Sequence, residues 1–331
     1  ATQFFIQVHC FSSSFLTISK MLANYLFDLI INILSMPPLN KNPHITTHVL
    51  YAIRHPIMNV SNFHLLPTLT FLLSLYASTS CIAMAEETPQ LTLEQVRDTL
   101  TKMEDTIIFS LIERAKHPRN APIYVNKGSH GSLAEFVVKD TEAIQAKAGR
   151  YTNPEENPFF LPNLPPPLIT NSHFPRVLNA EGAKININNK IWDLYVKELV
   201  PLFTDEGDDG NYASTAQSDL NLLQAISRRI HYGKFVAEVK FRESPAEYEP
   251  LIRAKDTDSL MKKLTVVSVE EQVVKRVEKK ASIFGQEVGV EGSPVQYKVD
   301  PSFVGRLYKL WLIPLTKEVE VQYLLLKVEL S

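Results

Sequence analysis

Ser218 to Phe241, SDLNLLQAISRRIHYGKFVAEVKF, is the stretch that settles the architecture. Its spacing predicts one long helix: Leu220, Leu223, Ile226 and Ile230 recur at helical intervals, and Ser218 or Asp219 stands where an N-cap belongs. Two cations, Arg229 and Lys240, lie eleven residues apart on the same stretch. Eleven steps of about 100° return to nearly the same azimuth, and the rise separates the pair by about 16 Å along one face. Gly233 and Val236 lie between them on that face. Two cations over a small, mostly apolar strip suit a compact dianion with polar atoms between its carboxylates. The competing reading is a solvated basic face on a surface helix.

On either side of this stretch, every other segment of the body is also helix or loop. Thr92-Leu93-Glu94-Gln95 is a capping-box pattern, followed by Val96, Leu100, Met103, Ile107 and Leu111 in helical step. Arg97 falls in the first turn, where the helix dipole disfavours a cation, a weak hint of a ligand. Ser132 to Arg150 reads as a second helix closed by Gly149. Prolines crowd residues 151–177, excluding helix and central strand there, and Phe159, Phe160 and Phe174 suggest a packed extended crossing. Asn189 to Phe203 predicts an amphipathic helix with Ile191, Tyr195, Leu199 and Leu202 in step; Asp205 to Asn211 is a turn. Short helices over Pro245–Lys255 and Thr257–Leu264 precede a charged helix, Val267 to Phe284, with Val269, Val273 and Val277 inward. Pro301 to Leu330 is the last helical stretch, broken or kinked by Pro314. No strong strand period appears, so the expected fold is all-α, a single-domain multi-helix bundle.

The 331-residue chain is 45% hydrophobic and 21% charged with a net charge of −2, an ordinary globular composition. Residues 1–85 hold one acid, Asp28, so the remainder is mildly acidic, which argues against a nucleic-acid or anionic-membrane binder. Cys10 and Cys81 both precede the body, which therefore has no thiol nucleophile. Its histidines, His117, His130, His173 and His231, lack metal-ligand spacing, and no Gly-rich phosphate motif is present. No cofactor and no metal is expected.

Residues 1–85 do not match the rest. They are Ser-rich, Thr-rich and acid-poor, and Leu65 to Ile82 resembles a signal-peptide core before Ala83-Met84-Ala85. We read them as a leader that is disordered, targeting or non-native, with Met84 an alternative start and 86–331 the functional domain.

The body resembles the eukaryotic all-helical chorismate mutases of the AroQ type. The carrying stretches are MEDTIIFSLIERAKHP (from Met103), PEENPFF (from Pro154), GDDGNYASTAQSDL (from Gly207), ISRRIHYGKFVAEVKF (from Ile226) and IPLTKEVEVQYLL (from Ile313). They span almost the whole body in family order, nearest to the plant branch and its unregulated cytosolic isoform. The resemblance implies a cofactor-free rearrangement of chorismate to prephenate on the route to phenylalanine and tyrosine. Chorismate is a dianion with an ether bridge. In its chair transition state the C–O bond breaks and negative charge gathers on the ether oxygen, so catalysis means gripping the compact conformer and donating to that oxygen. By motif, Arg97 and Arg229 take the carboxylates, Lys240 and a protonated Glu320 face the ether oxygen, Thr316 helps hold a carboxylate, and Glu270 accepts from the ring hydroxyl. Four residues before Glu270, the fungal pattern has a polar residue where this chain has Val266. Each position also has a plainer reading, such as Glu320 as an exposed acid beside Lys317.

The resemblance further implies a homodimer with an effector site for Trp or Tyr at its interface. The counterpart positions are Gly149, Arg150, Asn211, Ala213 and Ser214. Regulated chains carry Gly where this one has Ala213, so the expectation is an enzyme indifferent to both amino acids, acting on chorismate alone, with neither nucleic acid nor membrane as partner. The expected location is cytoplasmic, with the plastid as alternative. Two rival readings are a catalytically silent helical dimer with a scaffold role and a secreted mutase.

Overall fold

The structure is a computed structural model, and it describes residues 91–327 apart from 127, 129–130, 163, 171–173 and 290–293. The expected leader, residues 1–85, and the chain beyond residue 327 lie outside the described residues. Helix α1 (Leu93–Ala115) begins where the pattern places it. Thr92 Oγ1 accepts from Gln95 N at 3.3 Å, and Gln95 Oε1 accepts in return from Thr92 N at 2.9 Å. Helix α2 (Leu133–Lys147) starts with a second reciprocal cap between Ser132 and Glu135, and it is followed by Gly149 at φ 86°, the left-handed conformation that suits a glycine after a helix. Among the described residues there is no β-sheet, only an isolated bridge between Gln286 and Tyr297. Helix packs on helix, as expected.

Helix α3 shows how proline resets a register. It runs as Asn188–Leu194, a π-turn at Tyr195–Leu199 and a last turn at Val200–Phe203. Pro201 has no N–H to give the carbonyl four residues back, and its ring crowds that carbonyl; the wide turn makes room, with Val200 N bonding back to Tyr195 O. The extra residue rotates the last turn of the helix. Leu202, expected inward, is 54% exposed, while Val200 is fully buried. The same device recurs before Pro314. There α9 (Pro301–Leu307) passes through a π-turn at Tyr308–Leu312 into α10 (Ile313–Leu326), so the chain neither stops nor breaks at the proline.

The long helix expected from Ser218 to Phe241 is two helices, α4 (Tyr212–His231) and α5 (Gly233–Glu243), joined through Tyr232. Leu220, Leu223, Ile226 and Ile230 are all buried, at most 1% exposed, and each contributes about 1.5–3 kcal/mol by burial. The N-cap is Asn211, not Ser218 or Asp219. Asp219 sits inside the helix, where its carboxylate accepts from Arg114 Nε at 2.5 Å, Tyr195 OH at 2.6 Å and Tyr124 OH at 2.7 Å. That cluster, buried apart from the half-buried Tyr124, ties α1, α3 and α4 together. Helices α6 (Pro245–Arg253), α7 (Thr257–Leu264) and α8 (Val267–Phe284) complete the bundle. Of the α8 valines expected inward only Val277 is buried; Val273 is half-buried and Val269 is 41% exposed.

The Pro-rich crossing divides in two. Phe159 is buried, Phe160 meets Trp192 edge-on, and the buried Glu142 carboxylate accepts from the backbone N–H of both phenylalanines at 2.8 and 3.0 Å. Leu168 and Ile169, farther along, are 81% and 76% exposed.

Gly233 is fixed by packing. A Cβ there would stand 2.6 Å from the backbone oxygen of Thr316 and 3.4 Å from Glu320 Cγ. The first is closer than real contacts come, and a backbone atom cannot swing aside. Gly233→Ala should force α5 from α10 and cost about 2 kcal/mol. Thermal unfolding checks this; an unchanged midpoint would show that the two helices separate freely.

Candidate active site

The α5–α10 contact that needs Gly233 also sets the walls of a cavity of about 140 Å³. Helix α1 supplies Arg97, α4 supplies Arg229, α5 supplies Lys240, α8 supplies Glu270, and α10 supplies Thr316 and Glu320. Every residue named for catalysis from the sequence lines this one cavity. Leu264, Val266, Val269 and Val273 form an apolar wall, which explains why the first half of α8 is not buried in the core.

Arg229 is 5% exposed, and its guanidinium is under-satisfied. Nη1 donates to Thr316 Oγ1 at 3.1 Å, while Nε, also buried, has no partner. Burial pulls its pKa down; Tyr308, Glu104 and Glu320 oppose that pull. A guanidinium stays protonated regardless, so α4 holds a desolvated positive charge at the cavity wall. Arg97, at the cavity's open side, is exposed and makes no ion pair among the described residues.

Lys240 and Glu320 meet. Lys240 Nζ lies 3.1 Å from Glu320 Oε2 and 3.4 Å from the Leu264 carbonyl. Glu320 is 4% exposed, not the exposed acid of the plainer reading. Burial raises its pKa above the ordinary carboxylate value; the Lys240 ammonium, and then Arg229 and Lys317, pull the other way. Thr316 Oγ1 donates to Leu312 O at 2.6 Å and accepts from Arg229. Its proton is thus committed to the backbone, and its contact is with the arginine. Glu270 Oε1 accepts from Lys317 Nζ at 2.9 Å. Sequence reasoning treated Lys317 as a neighbour of Glu320, but the helix turns it to Glu270 instead.

Behind the cavity, fully buried Glu104 takes Arg276 through two bonds of 2.6 and 2.9 Å and Lys280 at 3.1 Å. The guanidinium carbon of Arg229 lies 5.9 Å from the centroid of the buried Tyr308 ring. The sequence reading gave no role to Glu104, Arg276 or Tyr308. An acid seven residues after Arg97, on the same face of α1, was the available signal.

The positions matching a family effector site are separate. Arg150 donates to Glu156 at 2.9 and 3.0 Å and to Gln224 at 2.9 Å. Asn211 bonds to Asp209, and Ala213 and Ser214 stand exposed in the first turn of α4. Ala213 is helical there, a conformation any residue adopts. The left-handed positions of the preceding turn fall instead on Gly207 (φ 141°) and Gly210 (φ 74°).

The cavity combines two arginines, a lysine paired to a buried acid, a hydroxyl and an apolar wall. Such a set can bind a small dianion and donate to an oxygen between its charges. Among the described residues no cluster of His, Cys, Asp and Glu could hold a metal ion, and no helix is long and apolar enough to cross a membrane.

Comparison with known proteins agrees. The family model for chorismate mutase type II matches residues 211–321. Chorismate mutase 2 of Arabidopsis thaliana is 56% identical over 249 residues, covering 72% of this chain and 94% of the relative. The cytosolic chorismate mutase 2 of Zea mays is 50% identical over 246 residues, covering 72% and 97%. A crystal structure of the Candida albicans chorismate mutase in complex with L-Trp superimposes with a TM-score of 0.68 at 37% identity, covering 72% of this chain and 92% of that one. With this similarity over nearly the full length of the relatives, and with the cavity as described, the chain belongs to the chorismate mutase type II family.

Proposed function

We propose that residues 86–331 rearrange chorismate to prephenate in the cavity between α1, α4, α5, α8 and α10, with Arg97, Arg229, Lys240, Glu270, Thr316 and Glu320 in distinct roles. The activity is that of the family. The observation that carries the assignment of roles is the buried, under-satisfied guanidinium of Arg229. A carboxylate of chorismate completes its hydrogen bonds, and Arg97 takes the other carboxylate from the open side. Thr316 steadies Arg229 in that pose. Lys240 and protonated Glu320 donate to the ether oxygen as the C–O bond breaks and the new C–C bond forms. Glu270 accepts from the ring hydroxyl. The apolar wall at Val266, Val269 and Val273 closes against the carbon skeleton and holds the folded conformer. The rearrangement is an isomerisation within one molecule, so no group is transferred to or from the protein.

We also propose a homodimer in the cytosol. The exposed apolar residues Leu133, Phe136 and Ile144 on α2, none of them in the core of this chain, support burial against a second copy. The cytosolic maize relative supports the location. Ala213 supports insensitivity to effectors, through the methyl it adds where regulated chains have none. Its helical conformation makes bulk, not backbone geometry, the obstacle.

A prephenate assay on the purified protein tests the reading. It should show turnover, and the rate should change less than twofold on adding Trp or Tyr at saturating levels. No turnover would favour the silent-dimer reading. A several-fold response to either amino acid would remove Ala213 as an obstacle.

A further inference from the structure

We propose that Lys317 is a positioning residue, acting on the substrate's ring hydroxyl through Glu270. The inference rests on the mutase reading of the cavity. Lys317 Nζ donates to Glu270 Oε1 at 2.9 Å and to Thr265 Oγ1 at 3.0 Å. The Thr265 hydroxyl already donates to Met261 O at 2.8 Å, so its lone pair is turned outward to receive the ammonium. Lys317 therefore bridges the end of α7 and the first turn of α8 from a fixed base on α10. Glu270 and Lys317 both line the cavity, and their side chains are 30% and 16% exposed. Glu270 Oε2 accepts nothing from the described residues, which leaves it to receive a substrate hydroxyl while Oε1 stays anchored.

The anchor matters because of what surrounds Glu270. It stands in the first turn of α8, beside the exposed Val266 and Val267, with its own side chain 30% exposed. A glutamate has three side-chain torsions and would otherwise swing to solvent. Helix α10 thus sets three groups of the cavity from neighbouring positions: Thr316 meets Arg229, Lys317 meets Glu270, and Glu320 meets Lys240.

Because the ring hydroxyl is present in both substrate and transition state, losing the anchor weakens binding of both. In Lys317→Met, KM for chorismate should rise about tenfold, with kcat within about twofold of the parent. The discriminating measurement is a double-mutant cycle with Glu270→Gln. If Lys317 works through Glu270, adding Lys317→Met to Glu270→Gln should change KM by less than twofold. A second tenfold loss in that background, or a fall in kcat with KM unchanged, would overturn the proposal, since Lys317 would then act on the substrate directly or on the fold at large. Lys317→Gln serves as the probe if the methionine variant does not fold. A parent enzyme that turns over chorismate while the cycle is additive sinks this inference alone; a parent without turnover sinks the mutase reading with it.

Discussion

Arg229→Ala should lower kcat/KM for chorismate by about 10³-fold while leaving helicity intact. The size reflects burial. A guanidinium at 5% exposure grips a carboxylate with little competition from water, and its loss removes a charge as well as two or more donors. The stability change should run the other way, or not at all. The fold holds this arginine with Nε unpartnered and its pKa depressed by burial, so the charged side chain is a cost to the folded state wherever it is protonated. Removing it leaves the Thr316 hydroxyl still bonded to Leu312. We therefore expect a melting temperature equal to the parent's or higher, the pattern of a site kept for function against stability. Circular dichroism and thermal unfolding beside the prephenate assay read both halves. Activity within tenfold of the parent would remove Arg229 from the site; lost activity with a large fall in melting temperature would make its role structural.

The second large effect is in pH. Glu320 can donate to the ether oxygen only when protonated. Its folded pKa is raised by burial, so the protonated form is favoured in the fold, and that contribution to stability is lost as pH rises through the folded pKa. Activity should fall along the same limb. Ionisation takes away two donors at once, because the carboxylate formed holds Lys240, already 3.1 Å away. We expect the parent to lose about tenfold or more in kcat/KM from the acid side to the alkaline side of this limb. Glu320→Gln keeps an N–H donor at every pH and cannot bind Lys240 as an anion. Its profile should be flat, with rates above the parent's at the alkaline end. Lys240, Arg229 and Lys317 face Glu320, and the Tyr248 phenol also feels its charge; burial pushes that phenol up to about 12, away from this limb. A parent profile that is flat, or one that keeps the same slope in Glu320→Gln, would show that Glu320 does not work as an acid.

Much of the fold and the site was legible in the chain. Helical spacing of Leu220, Leu223, Ile226 and Ile230 forecast a buried helix, and the Thr92–Gln95 capping box set the start of α1 to within a residue. These are local matters: a cap is made by residues three apart, and a buried stripe reflects the helical period. The resemblance carried the candidate residues, and the cavity gathers them.

Other features depended on partners far away in sequence. Asp219 has the chemistry of an N-cap, yet the helix starts earlier because Arg114, Tyr124 and Tyr195 claim its carboxylate. Leu202 kept perfect helical step on paper, and the π-turn before Pro201 rotated it to solvent. Lys317 is a lysine near a glutamate in any reading of IPLTKEVE, but only packing of α10 against the α7–α8 junction decides which glutamate it meets. The order of residues was enough to specify the helices, their caps and the types of side chain available, because those depend on contacts within a few residues. Which charges are buried, which are paired and which are left open was settled only by the folded packing, because burial and pairing arise when distant segments exclude water together.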